Sequence, residues 1–390
     1  MATRRWLGRA MAVAKVATHT VGGTAAVSQV YTVARNGKSV SYTASGVDTN
    51  TTIATALTTL LNASTITEIA EATWSSNTNV ITSTMDTAGS NATFTTSATG
   101  TGTFVTATTT AASGPNRWDV ADNWSGGAVP TNADDVIIDI PVSITDGLDQ
   151  SGVTLTSLVI GATFENVSIG LPRTNASGYT EDRDDYLKIG ANTVRVGVGS
   201  GQGSGRIKLN FGSVQATVEV RKTGFPTEPG IPALLLVGTH ASNAIDAQGG
   251  TVGVAFHGGE LATLLTCRAA SGATIELGEG CTLGTISGEG VVNIASAVTT
   301  LTQYGGTWST NGSGAITTLT QTAGYLRHNS SGTLTTATLG GTLDCSQDST
   351  ARTITNCTLT AGGRINDPLN TLTFSNGILR NSTVREIVAN

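Results

Sequence analysis

The sequence predicts a mainly β protein: a small N-terminal α+β module followed by a right-handed parallel β-helix, or β-solenoid, with coils of about eighteen residues. Two observations predict it. The first is an internal repeat: TTLTQYGGTWSTNGSGAI (299–316) aligns with TTLTQTAGYLRHNSSGTL (317–334) at an offset of eighteen. The second is composition. Charged residues are only 12% of the chain, yet apolar residues reach 38% and Gly numbers 48 of 390. Regularly spaced Leu, Ile and Val among Thr, Ser and Gly fit stacked strands and tight turns rather than disorder.

Residues 1–112 read as the α+β module. VYTVA (30–34) and SVSYTA (39–44) flank Asn36-Gly37, a pair that supplies the positive φ angles of a tight hairpin turn. DTNTTIATALTTLLN follows, with Ile53, Leu57, Leu60 and Leu61 on one helical face and Asp48, Asn50 or Thr51 available as a cap. A second hairpin is expected around 77–79, with further short strands after it. Residues 113–262 form a capping and irregular β region. Trp118 and Trp124 are expected to cover the first coil, which has no neighbour to do so. The charged stretch 168–190 reads as an inserted loop.

Residues 263–384 form the regular solenoid, and 385–390 a C-terminal tail. Each aligned coil has a Thr-rich strand, a Gly-containing turn and an apolar residue two beyond it: Trp308, Leu326, Leu343 and Ile365. A second buried column is expected at Leu265, Leu283, Leu301 and Leu319, which are eighteen apart. One coil cannot bury its inward side chains alone, whereas stacked coils share ladders spaced about 4.8 Å and enclose a continuous column. Cys357 falls in the column of Leu301, Leu319 and Ala337, so it reads as a small apolar side chain.

Charge and motifs narrow the function. A net charge of −6 argues against nucleic acid as a partner. No run of eighteen apolar residues exists to cross a membrane, and the start has no apolar stretch adequate for a secretory signal. The four cysteines, Cys267, Cys281, Cys345 and Cys357, form no CxxC pair, and the four histidines lie at no motif spacing. We therefore expect no metal, no cofactor and no catalytic residues. The nearest candidates are Asp348 with Asp367, in turn-like settings, and the acids Glu181, Asp182, Asp184 and Asp185 beside Arg173 and Arg183. Turn chemistry and a salt-bridged loop explain both. Arg4, Arg5, Arg9, Lys15, Arg35 and Lys38 precede the first acid, Asp48. Such a basic segment suits docking on an acidic surface.

TRRWLGRA, the NGKSVSYTA–DTNTTIATALTTLLN hairpin-helix and NRWDVADNWSGGAVPTNADDVII before the repeats resemble structural proteins of tailed-bacteriophage particles. The resemblance covers most of the chain. It implies a non-enzymatic virion protein, a homotrimeric capsid cement (decoration) protein that binds the major capsid protein, assembled in the host cytoplasm and displayed on the capsid surface. Arg4, Arg5, Trp6, Arg9 and Lys15 are then the candidate docking residues. The alternative is a tail fibre or tailspike that binds, and in some cases cleaves, host surface polysaccharide.

Overall fold

The computed structural model describes residues 2–203, 205–225 and 228–380. β-strands dominate, and among the described residues the one long helix spans Asn50–Asn62. Most strands from Asp135–Ile138 to Ile378–Arg380 belong to a single large sheet whose pairings are parallel. Residues 381–390, which hold the expected tail and the end of the repeat region, lie outside the described residues, as does Ser204 in the Gly-rich loop 197–205.

The N-terminal module forms as its sequence suggests. Strands Val30–Arg35 and Lys38–Thr43 pair antiparallel around Asn36 and Gly37, whose φ angles are 50° and 70°. A four-stranded antiparallel sheet places Val16–Gly23 between Val80–Met85 and Gly102–Thr110, with Ala72–Asn77 at its edge. Ile53, Leu57 and Leu61 of the helix pack with Val21, Tyr31 and Trp74. Two details differ from expectation. Leu60 is exposed, because the buried face is rotated towards Ala54 and Thr58 and leaves Leu60 at its edge beside Ile53. The cap is Thr49, which forms a reciprocal capping box with Thr52.

In the large sheet, strands pair in parallel with the strand roughly one repeat later. Val298–Gln303 aligns with Ile316–Gln321 so that Leu301 faces Leu319, Leu319 faces Ala337, and Ala337 faces Cys357. Trp308, Leu326 and Leu343 align the same way and are fully buried. Ile365 continues their column but is only half-buried, being close to the last strand. Burying a side chain of this size contributes about 1.5–3 kcal/mol, and one strand alone has no second layer to bury against. Turns between strands rely on glycine where the chain passes close to its neighbour. At Gly306 (φ 70°) an added Cβ would lie 2.1 Å from the carbonyl oxygens of Glu289 and Gly290.

The column expected at Leu265 and Leu283 is corrected. Leu265 is 54% exposed. Leu301 pairs with Ile286, and Ile286 pairs with Cys267, steps of fifteen and nineteen residues instead of eighteen. Leu283 is buried, but in a different column, between Leu264 and Val298. Side chains alternate across a strand, so a slip of one residue sends Leu265 outward and Leu264 inward. Through Cys267 and Ile245 the Leu301 column continues back to Val218, Val194, Leu158 and Val136.

Candidate functional site

The start of the large sheet gathers three of the six basic N-terminal residues, Arg4, Arg5 and Arg9. Strand Thr3–Arg5 leaves the N-terminal module and pairs in parallel with Asp135–Ile138, so the expected boundary at 112 does not hold for it. Trp6, at the end of that strand, is fully buried and packs edge-on against Trp124 at 4.9 Å, and Trp124 packs on Trp118 at 4.6 Å. The Trp124 indole N–H donates to the Trp118 carbonyl at 2.7 Å, and that of Trp6 donates to the Val142 carbonyl at 3.1 Å. Three indoles are thus buried together beside the first strands of the large sheet: Trp118 and Trp124, expected as a cover, and Trp6, expected instead to dock outward.

The remaining docking candidates are also held internally. Arg4 pairs with Asp134 at 3.6 Å, and Arg5 with Asp139 at 3.0 Å. Arg9 Nε donates to the Asp122 carbonyl. Lys15 is buried and donates to Thr93, and burial, with the nearby Arg117 charge, holds its pKa below the usual range. Asp134 also accepts from the Ala2 backbone, which fixes the segment's entry. Arg5 and Arg9 keep exposed surface, whereas Trp6 and Lys15 do not.

The expected loop 168–190 is shorter than its charge suggested, because Ser168–Ile169 and Leu187–Val198 are strands of the large sheet; the residues between them, 170–186, clasp the N-terminal module to the sheet. Arg35 is almost wholly buried. Its guanidinium makes a bidentate pair with Asp182 (3.0 and 3.2 Å) and a third bond to Glu71 at 2.6 Å. Glu71 also accepts from Tyr179 and Ser177, and Asn36 reaches the Thr180 carbonyl. Charge-assisted, bidentate bonds of this kind fix geometry as well as adding energy. The other acids are similarly engaged: Glu181 with Arg183, Asp184 with Lys188, and Asp185 with the buried Lys208. Arg173 pairs with Glu260 at 3.7 Å.

The Asp348 and Asp367 carboxylates serve their own turns. Asp348 accepts from Thr350 and pairs with buried Arg352 at 2.8 Å. Asp367 accepts from the backbone of Thr371 and Leu372. A surface groove of about 450 Å³ lies at the ends of strands Ala262–Leu277 and Val291–Ile294, lined by His257, Glu276, Glu279 and Asn293 among others. Burial raises the pKa of Glu276, and a 2.6 Å bond from Asn293 partly opposes that. Among the described residues, no three His, Cys, Asp or Glu side chains gather as a metal would require. All four cysteines are buried free thiols, and burial pushes Cys267 up to about 12.

Sequence reasoning missed the polar residues inside the large sheet. Gln303 and Gln321 occupy adjacent inward positions, with Gln321 Nε2 donating to Gln303 Oε1 at 3.0 Å. Beside them Thr310 and His328 follow Ile294 in an inward column and share a 2.8 Å bond through His328 Nδ1. Both pairs repeat at eighteen residues, so the signal was present, but polar residues in an apolar column are read as outward. No family model matches this chain, and no curated protein matches it significantly.

Proposed function

We propose that the chain is a β-solenoid rod serving as a non-enzymatic structural protein of a tailed-phage particle, a homotrimeric cement protein bound to the major capsid protein. The observation that carries the rod is the inward column running rung by rung from Val136 to Cys357, each member aligned in parallel with the next. The place in a particle rests on the resemblance of the N-terminal and tryptophan-rich segments to phage structural proteins. The internal ties of the charged side chains support a scaffold, since they spend ionic groups on holding modules together. We assign attachment to the outer surface near Arg9 and Met11, which is 83% exposed, because Trp6 and Lys15 are turned inward.

Gold-labelled antibody against the purified chain, imaged on phage particles by electron microscopy, tests the location. Label on the head shell supports the cement role, and label on the tail alone overturns it. Arg9→Glu with Met11→Asp should abolish head binding while leaving the trimer's sedimentation unchanged. The groove beside Glu276 favours one second reading, a tail fibre or spike that binds surface polysaccharide. New reducing ends after incubation with that polysaccharide would support it.

A further inference from the structure

The outward side of strands Val298–Gln303, Ile316–Gln321, Leu334–Leu339 and Arg352–Leu359 carries a two-dimensional array of threonines. One column runs from Thr300 through Thr318 to Thr336, and the next from Thr302 through Thr320 and Thr338 to Thr358, all in strict register. The two columns flank the inward Leu301 column, so both point away from the core. Parallel pairing sets the repeat along a column at about 4.8 Å, and alternate residues along a strand lie about 6.6 Å apart. The face is uncharged: the two ionisable side chains on these four strands, Arg352 and Cys357, are both buried.

The hydroxyls of this array are free. Among the described residues none of the seven has a hydrogen-bond partner, although Thr322 and Thr360 at the adjoining corner donate to the carbonyls of Gln303 and Leu339. A hydroxyl unpaired on a rigid strand must bond to whatever lies outside, and here each sits at a fixed lattice point beside a methyl group. Water over such a surface is held at regular positions by the hydroxyls and caged around the methyls. An uncharged face does not select ionic polymers, and the array contains no aromatic ring on which a sugar would stack.

We propose that this threonine face binds ice, by presenting ordered water that merges with the crystal lattice. The test uses the full-length protein in frozen sucrose solution, following ice recrystallisation and the partition of fluorescently labelled protein into a growing ice hemisphere. Wild type should keep crystals several-fold smaller than an equal mass of serum albumin and should enter the ice. Thr318→Tyr with Thr320→Tyr should lose at least tenfold of that activity, while Val105→Tyr, on the exposed surface of the N-terminal module, should retain it. If the double tyrosine variant misfolds, Thr318→Ser with Thr320→Ser, which removes only the methyls, should lose several-fold at unchanged circular dichroism. A wild-type protein that leaves ice unaffected overturns the proposal, whether or not it adsorbs to crystalline cellulose instead. Variants of this face that keep full activity overturn it equally.

Discussion

His328 makes the interior of the large sheet sensitive to acid. Its ring is fully buried below Ile294 and Thr310, and burial, reinforced by the Arg352 guanidinium, pushes its pKa down to about 4 from an ordinary 6.5. The folded protein therefore holds the neutral ring, while the unfolded chain takes up a proton near pH 6.5. Stability from this group is complete above pH 6.5 and is lost as pH falls from 6.5 towards 4. At about 1.4 kcal/mol per pKa unit, the loss totals roughly 3 kcal/mol. The perturbation is Thr310→Val with His328→Leu, which replaces both members of the bonded pair and extends the apolar column. Replacing both partners is close to neutral at pH 7. Urea unfolding followed by circular dichroism at pH 7 and pH 4.5 gives the free energies. His19, held near 4 by burial and by Lys15, loses stability over the same window, and Glu276, with its raised pKa, works in the opposite direction. Both act alike in wild type and variant, so they cancel in the difference. The variant should gain about 2–3 kcal/mol over wild type on acidification. An unchanged difference between the two pH values would refute the neutral buried ring.

Three further outcomes test the packing. Leu301→Ala should cost about 2–5 kcal/mol, whereas Leu265→Ala should change stability by less than about 0.5 kcal/mol, as read from urea midpoints; equal effects would restore the eighteen-residue column. Trp124→Ala removes the central ring of the three buried indoles and should cost about 3–5 kcal/mol, seen as a lowered Tm. Arg35→Met should weaken the clasp by about 2 kcal/mol and speed proteolytic cleavage within 170–186, with little change in the urea midpoint of the large sheet.

Much of the architecture follows from local pattern. Asn36-Gly37 between two alternating segments dictates a hairpin by turn chemistry alone, and the eighteen-residue match from 299 to 334 dictates parallel alignment of Leu301 with Leu319. Trp118 and Trp124 before the repeats were legible as a buried pair. The candidate site was less so. Docking by Trp6 and Lys15 was inferred from charge clustering, yet an aromatic ring beside Arg residues gains more by joining two other indoles than by waiting for a partner.

The sequence by itself determined that strands stack in parallel wherever the repeat is regular, because identical side chains at one spacing can share one column. Only the tertiary structure decided which residues face inward where turn lengths vary, as at Leu264 and Leu265, since a one-residue slip reverses every side chain and no local preference fixes it. It alone also joined Thr3–Arg5 to Asp135–Ile138 and Arg35 to Asp182, contacts between segments more than a hundred residues apart. Such pairings depend on where two separately folded surfaces meet, and neither segment carries a signal of its partner.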